Sequence, residues 1–521
     1  MLYLLPLAVP LCFLLTALAA ATGPQLRPRR MLALARWLSL LAFVIALASG
    51  GVLIFAGSGE ARLGQSAYLL SLRLDVVSLP MLVLVAFIGW VVTGFSATYL
   101  DGEARQRSFT FWMALTLASV SFFILSGSLA VLVASFVATS LCLHQLLLFY
   151  PERPAARRAA RKKFIVSRVA DGALAAAAVL LWFGYGTADI AEILVRARAG
   201  LSPPDAVAAA ALLAVAALIK SAQFPTHGWL VEVMETPTPV SALLHAGVVN
   251  AGGYLLIRFA DVMLLSPLTL AMLVMIGALT AIFGSLVMLT QSAVKTSLAW
   301  STVAQMGFMI LQCGLTLFPV ALLHIIAHSL YKAHAFLSSG SAVEATLAVR
   351  RPGPVATPNV RAVLRAFLLA LVIYALAGLA FGFWHKPPQA LALGAILIFG
   401  VAYLIAQGLA DAAPWQLTWR TSLIATIAAV SYFALQWAAY ALTAGVLPPA
   451  PEPGALVWAL IILSLLVFGF TAFAQSLFPL WAHHPAVAGL RVHLQNGLYV
   501  NALFDRMLGN FTTVSHAQDR M

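Results

Sequence analysis

Apolar positions in this chain run on rather than alternate. Stretches of 18 or more predominantly apolar residues recur from end to end, each long enough to cross a hydrocarbon core of ~30 Å. In lipid such a stretch must satisfy its own backbone hydrogen bonds, so each is predicted to be a helix. The spans fall at roughly 2–22, 32–57, 76–99, 109–127, 129–150, 164–186, 205–222, 237–257, 262–289, 298–317, 319–345, 362–383, 388–409, 421–445 and 455–480. The fold class is an all-α polytopic membrane protein with about 14–15 transmembrane helices.

Composition agrees: 62% of the 521 residues are hydrophobic and 9% charged, where a soluble surface needs roughly 25%. A net charge of +13 could suggest nucleic acid, but its placement argues otherwise. Of the 30 Lys and Arg, 21 fall at loops after odd-numbered spans or in the tail (counting Arg36 and Arg365, about one turn inside the spans that follow such loops), six at loops after even-numbered spans, and three (Arg168, Lys220, Lys332) well inside spans. That is the positive-inside pattern, and it predicts a bacterial inner-membrane protein with its N-terminus outside and its tail in the cytoplasm. Arg27, Arg29 and Arg30 follow the first span rather than precede it, so that span reads as retained and not as a signal peptide. The run Arg153–Lys163 reads as a cytoplasmic loop touching anionic headgroups, with docking of a soluble partner as the alternative. The loop Arg350–Arg365 reads the same way, and 497–508 as an amphipathic helix on the membrane surface. Cys12, Cys142 and Cys313 stand singly, and no glycine-rich nucleotide fingerprint precedes a helix. No cofactor is expected in this chain, which reads as a transport subunit rather than an enzyme.

A charge near the middle of a bilayer costs at least ~2.5–3.5 kcal/mol on insertion scales, so each one invites a functional reading. Lys220 closes an apolar run and is followed by Ser221-Ala222-Gln223-Phe224-Pro225. Proline breaks the helix there, and a lysine at the break can hold freed carbonyls or shed its proton when desolvated. The plainer alternative is a lysine that snorkels to the interface. In Pro237–Gly247, prolines can open a helix and place His245 about two turns in, among small residues that allow close packing. A neutral packing histidine is the competing reading. His324, His328 and Lys332 stand at i, i+4 and i+8, drifting only ~40° per step, so one helical stripe carries all three. Two histidines at i, i+4 could share zinc, but no acidic ligand lies near, and a proton relay fits better. Lys386, before Pro387 and Pro388, is a second lysine at a helix break. Paired interrupted helices point to inverted repeats with a site at the midplane.

These motifs carry a resemblance. Lys220-Ser221-Ala222-Gln223, Pro237–Gly247, Lys295 with Ala299–Gly307, and the 324–332 stripe resemble the antiporter-like subunits of respiratory complex I and of multisubunit cation/proton antiporters, over roughly residues 70–410. The resemblance implies two inverted five-helix repeats, 101–258 and 259–410, between N-terminal helices (1–100) and a C-terminal part (411–521). It implies that Lys220, Lys332 and Lys386 lie on a hydrophilic axis with His245, His324 and His328 between them. Arg168 and Asp171 match a further charged family position, and could equally be a structural ion pair at i, i+3. The fifth helix departs from the pattern: Phe136 and Val137 stand where Trp and Glu would, and that helix holds no acid. Glu232 or Glu235 is expected to replace that glutamate as partner of Lys220, against the alternative of solvated loop carboxylates.

The wording Phe224–Glu235, the continuation through Gly253, and the tail Leu494–Arg506 most resemble membrane subunits of DAB-type inorganic-carbon complexes. That implies a proton- or Na⁺-conducting chain coupled to a large soluble carbonic-anhydrase-like partner that holds the zinc. Protons would pass from Lys386 along Lys332, His328, His324, His245 and Lys220, leaving near Glu232 or Glu235. The rivals are an ion-translocating subunit of a complex I-like or multisubunit antiporter assembly, a stand-alone secondary transporter, and an enzyme.

Overall fold

The computed structural model describes residues 2–22, 28–63, 70–341, 358–409, 415–481 and 484–507. Half of the loop expected over 350–365, at 350–357, and position 508 of the expected surface helix lie outside these residues. Helices dominate, and among the described residues twelve are long and apolar enough to cross a membrane. They begin with α1 (Ala8–Thr22), α2 (Pro28–Ala56) and α3 (Ser78–Tyr99). A first set of five follows: α4 (Gln106–Leu125), α5 (Leu129–Leu147), α6 (Pro154–Tyr185), then, after the short α7 (Ile190–Arg198), α8 (Pro204–Lys220), and, after α9 (Gly228–Val231), the broken pair α10 (Thr238–Ala246) and α11 (Ala251–Arg258). After α12 (Ala260–Met263) comes the second set: α13 (Pro267–Met288), α14 (Val294–Gly314), α15 (Phe318–Leu337), α16 (Val360–Ala380) and α17 (Pro388–Gly408). The bundle closes with α18 (Trp415–Thr443) and α19 (Ala455–Ser476), and the tail adds α20 (Pro485–Gln495) and α21 (Val500–Met507).

The sequence predicts about fifteen spans, and the three beyond the twelve are also helices. Pro204–Lys220 is only 17 residues because the chain breaks at Ser221. Val294–Gly314 carries Lys295, Ser301, Thr302, Gln305 and Gln312, which lower its hydropathy. Pro388–Gly408 qualifies only as the shorter apolar helix Pro388–Tyr403. One element departs from an all-helical reading: Gly59–Leu63 (β1) and Leu70–Leu74 (β2) form an antiparallel hairpin outside the spans.

A second correction concerns the basic run. Arg153–Lys163 is not a loop: Pro154 starts α6 with its fixed φ, and the run forms that helix's first turns. Lys162 and Lys163 are 0% and 2% exposed, pointing into the protein rather than at headgroups.

Close packing at the helix breaks relies on small residues, as the sequence predicts. A Cβ on Gly252 of α11 would run into the Ala217 carbonyl and Ser221 Oγ, so only glycine lets α11 lie against the end of α8. One apolar core runs through α1–α15, and a separate one joins α16, α17 and α18.

Candidate functional site

Lys220 is the last residue of α8 and is 3% exposed. Its Nζ has no hydrogen-bond partner among the described residues and sits 4.0 Å from the centre of the Phe136 ring on α5. The fifth helix thus meets Lys220 with an aromatic ring, one position before the place of the family's acid, and offers the ammonium only its π face. The charged groups acting on Lys220 are Asp171 and Arg168 of α6. Those two touch at 2.5 Å, although no hydrogen bond aligns between them. Lys220, Phe136 and Thr139 line a cavity with about 20 Å³ of space for water, shared with Asn250 and Tyr254.

Across that cavity the polar chain continues. Asn250 Oδ1 has no partner, and its Nδ2 donates to the Ala246 carbonyl at 2.9 Å and to Ser329 Oγ on α15 at 2.8 Å. Next to Ser329 stands His328, whose Nε2 lies 3.2 Å from the His245 carbonyl and must donate to it. His328 Nδ1 is left bare and buried. At His245, Nδ1 lies 3.0 Å from Thr302 Oγ1, whose own hydroxyl donates to the Leu298 carbonyl at 3.0 Å. Thr302 must therefore accept from Nδ1–H, and His245 Nε2 is left without a partner. Each histidine thus keeps one nitrogen committed and one free to take a proton. The same Leu298 carbonyl accepts from Lys332 Nζ at 3.2 Å, and Ser301 Oγ does so at 2.7 Å. Lys332 is 0% exposed and has no carboxylate partner among the described residues.

His324 ends the stripe, its ring centroid 6.0 Å from that of His328. Its Nδ1 faces Gln312 Oε1 at 2.9 Å and its Nε2 faces Gln305 Oε1 at 3.0 Å. An imidazolium donates both ways; a neutral ring needs one of these amides to turn its NH₂ inward. The setting accommodates either state. Lys386 stands apart, half-buried beyond α16, with Nζ donating to Gln436 Oε1 of α18 at 2.6 Å. Burial pushes its amine down from the ordinary lysine range.

The structure brings Lys220, His245, His328, Lys332 and His324 onto one buried line. It does not bring Glu232 or Glu235 to Lys220. Glu235 pairs with Arg153 at 3.1 Å in the open, and Glu232 accepts from Lys162 Nζ at 2.6 Å. The reason lies in the chain: after Lys220 the backbone turns at Ser221–Gly228 and carries both glutamates past the end of α8. Burial raises the Glu232 carboxyl above the usual range, although Lys162 and Asn501 pull the other way. Lys295 donates to Thr238 Oγ1 at 3.0 Å, tying α14 to the start of α10 rather than joining the line.

Several residues escape the sequence reading. His227, 0% exposed, packs between Phe224, Phe283 and Trp300 with neither ring nitrogen partnered among the described residues, between the Lys220 break and Glu232. Lys162 also donates to Asn501 Oδ1 at 2.8 Å and pairs with Asp505, so α21 is docked on the protein and not simply on lipid. At the opposite end, Arg258 holds Asp75 through Nη1 at 2.6 Å and Nη2 at 3.3 Å, and takes the Tyr254 hydroxyl at 2.8 Å. Burial works to raise the Asp75 carboxyl, but Arg258 and Arg73 outweigh it and hold it well below the carboxylate range.

Residues 126–409 match the transmembrane family of NADH:quinone oxidoreductase and Mrp antiporters, and residues 62–111 the N-terminal family of complex I chain 5. A relative in Halothiobacillus neapolitanus, "Probable inorganic carbon transporter subunit DabB2", is 37% identical across 98% of this chain and 94% of its own. A "Probable inorganic carbon transporter subunit DabB" of Hydrogenovibrio crunogenus is 46% identical over 55% of each chain. NADH-quinone oxidoreductase subunit L of Escherichia coli is 34% identical over 52% of this chain and 45% of its own. Among solved structures, a chain of the Mrp complex from Dietzia sp. DQ12-45-1b superposes with a TM-score of 0.58 at 25% identity, covering 98% of this chain and 58% of that one.

Proposed function

Because the chain belongs to the proton-antiporter family of membrane subunits, we propose that it is the proton-conducting subunit of an inorganic-carbon uptake complex. The observation that carries the conduction reading is the line of partly unsatisfied titratable groups from Lys220 to His324. Lys220, His245, His328 and Lys332 are all buried among apolar helices, where a titratable group is costly and marks an ion path. The DabB-named relatives, one of them aligned along nearly the whole chain, support the carbon reading over a complex I-like role. Phe136 against Lys220 supports it too, since the fifth helix offers no acid for the pairing that complex I subunits use.

In this reading the hairpin end and Lys386 face outside and the tail lies in the cytoplasm of a bacterial inner membrane. Protons enter by Lys386 and Gln436, pass the His324–Lys332 stripe and His245, cross the Asn250 cavity to Lys220, and leave past His227 toward Glu232. Lys386 is pushed down and Glu232 up, so both end groups move toward neutral pH. Downhill transfer releases ~2.3 kcal/mol per 100 mV, enough to hold a CO₂–bicarbonate equilibrium off balance in a soluble partner with a carbonic-anhydrase-like zinc site. That partner holds the cofactor; this chain supplies the ion current.

Purification of the tagged chain from its native membrane tests the assignment. A stoichiometric zinc protein is expected to accompany it, and Lys220→Ala and Lys332→Ala are expected to abolish rescue of a carbonic-anhydrase-deficient host at ambient CO₂. Iron–sulfur or flavin subunits in the complex, or full rescue by both variants, would remove the proposal.

A further inference from the structure

The line described above stops at Lys220, yet the protein holds another buried lysine against the same face of α5. Lys163 is 2% exposed, and its Nζ donates to the Ser140 carbonyl at 2.6 Å and to Ser140 Oγ at 3.2 Å. Lys220 lies on the ring of Phe136. Positions 136 and 140 are i and i+4, one helical turn or ~6 Å apart on one face of α5, so the two lysines are neighbours along it. On α6, Lys163, Ser167 and Asp171 fall at i, i+4 and i+8, the spacing of His324, His328 and Lys332 on α15. All three are buried. α6 and α15 are the third helices of their two sets of five, and each set has a lysine at the break that follows its fourth helix, Lys220 or Lys386. The first set therefore repeats the arrangement of the second.

Charge makes Lys163 more than a structural cation. Around it stand Lys220 from α8, Arg168 and Asp171 from its own helix, and Cys142 and His144 from α5. Asp171 is the one carboxylate in this group, and Arg168 is already against it. With both lysines protonated the group carries two uncompensated positive charges in a dry interior; with one protonated it carries one. Protonation of either lysine therefore disfavours protonation of the other.

We propose that Lys163 is a second proton-carrying lysine, which accepts through Asp171 the proton that Lys220 releases. The Lys220 ammonium gives H⁺ to the Asp171 carboxylate; Asp171 and Lys163 are eight residues, ~12 Å, apart along α6, so the resulting acid passes it over the Ser167 hydroxyl and intervening water to the neutral Lys163 amine, and the carboxylate is restored. One positive charge moves from one Nζ to the other, toward the end of α6 where Lys162 meets Glu232 and the tail. This inference rests on the conduction reading and adds to it a step on the cytoplasmic side of Lys220.

The test uses the complex purified with this chain, reconstituted in liposomes with CO₂/bicarbonate buffer, with proton flux read by an entrapped pH dye under an imposed K⁺ potential. Lys163→Met is expected to lower flux ~10-fold or more. Lys163→Arg keeps a cation but cannot release its proton, and is expected to be equally impaired. Lys163→His is expected to retain flux with its pH profile moved down by about one unit or more, since imidazole titrates lower than an amine. Flux within about twofold of wild type for Lys163→Met, rescue by Lys163→Arg, or an unmoved profile for Lys163→His each overturns the proposal. If Lys163→Met does not assemble, the Lys163→His profile decides alone. Wild-type complex without any proton flux would instead end the conduction reading, and this inference with it.

Discussion

Replacing Phe136 by glutamate puts an acid where the fifth helix has none, and the structure gives the size of the effect. Lys220 Nζ lies 4.0 Å from the ring centre, so a carboxylate in that space would sit at a similar distance. Two unit charges ~4 Å apart attract by ~4 kcal/mol at an effective dielectric of about 20. The lost contact with the ring face returns ~1–2 kcal/mol, leaving a net gain of ~2 kcal/mol for the charged lysine. Held in that state, Lys220 should release its proton ~30-fold more slowly. Phe136→Leu, which removes the ring without adding charge, should not slow release and should speed it by ~5–30-fold, the equivalent of the same ~1–2 kcal/mol. Both variants can be compared with wild type as initial proton flux in liposomes at matched protein content. Flux in Phe136→Glu equal to or faster than wild type would refute the reasoning, because it would mean that Lys220 does not need to lose its proton.

Other expectations follow from contacts away from that pair. Asp75→Asn should lower stability by ~3–5 kcal/mol, because Arg258 and Arg73 would be left without their buried counter-charge; a thermal melt in detergent no lower than wild type would contradict it. The carboxyl of Asp75 is depressed in the folded state, so its contribution is complete above the unfolded carboxylate range near pH ~4 and fades as pH falls through the lower folded value; wild type should lose its stability margin over Asp75→Asn only in acid. Gly228→Ala would drive a Cβ into the Asn501 side-chain amide, so Asn501 should swing off Lys162 and α21 should become more readily cleaved by protease. An unchanged digestion pattern would show that the tail is not held there. Gln312→Leu should impair flux by ~10-fold or more while leaving assembly intact, since it takes a hydrogen-bond partner from His324.

The membrane fold was legible because long apolar runs leave the backbone no choice but helix. The stripe on α15 was legible for a related reason: 324, 328 and 332 share one helical face, and charge inside an apolar run stands out. The same spacing at 163, 167 and 171 went unread, because Lys163 ends a basic run that looks like an orientation loop. Nothing in the sequence distinguishes a lysine at headgroup level from one turned inward by the packing of α5, α6 and α8. Glu232 was placed near Lys220 by sequence distance alone, and the turn after Ser221 sends it to Lys162 instead. Asp75 and Arg258, 183 positions apart, could be paired only by the fold. The hairpin at Gly59–Leu74 was missed because five-residue strands carry little signal beside spans of twenty.

Proton flux through wild-type complex and through Lys332→Met, measured side by side in liposomes under an imposed potential, tests the central claim most directly. The account predicts measurable wild-type flux that falls ~100-fold when Lys332, the buried amine held by Ser301 and the Leu298 carbonyl, is made apolar. Equal flux in the two would contradict it.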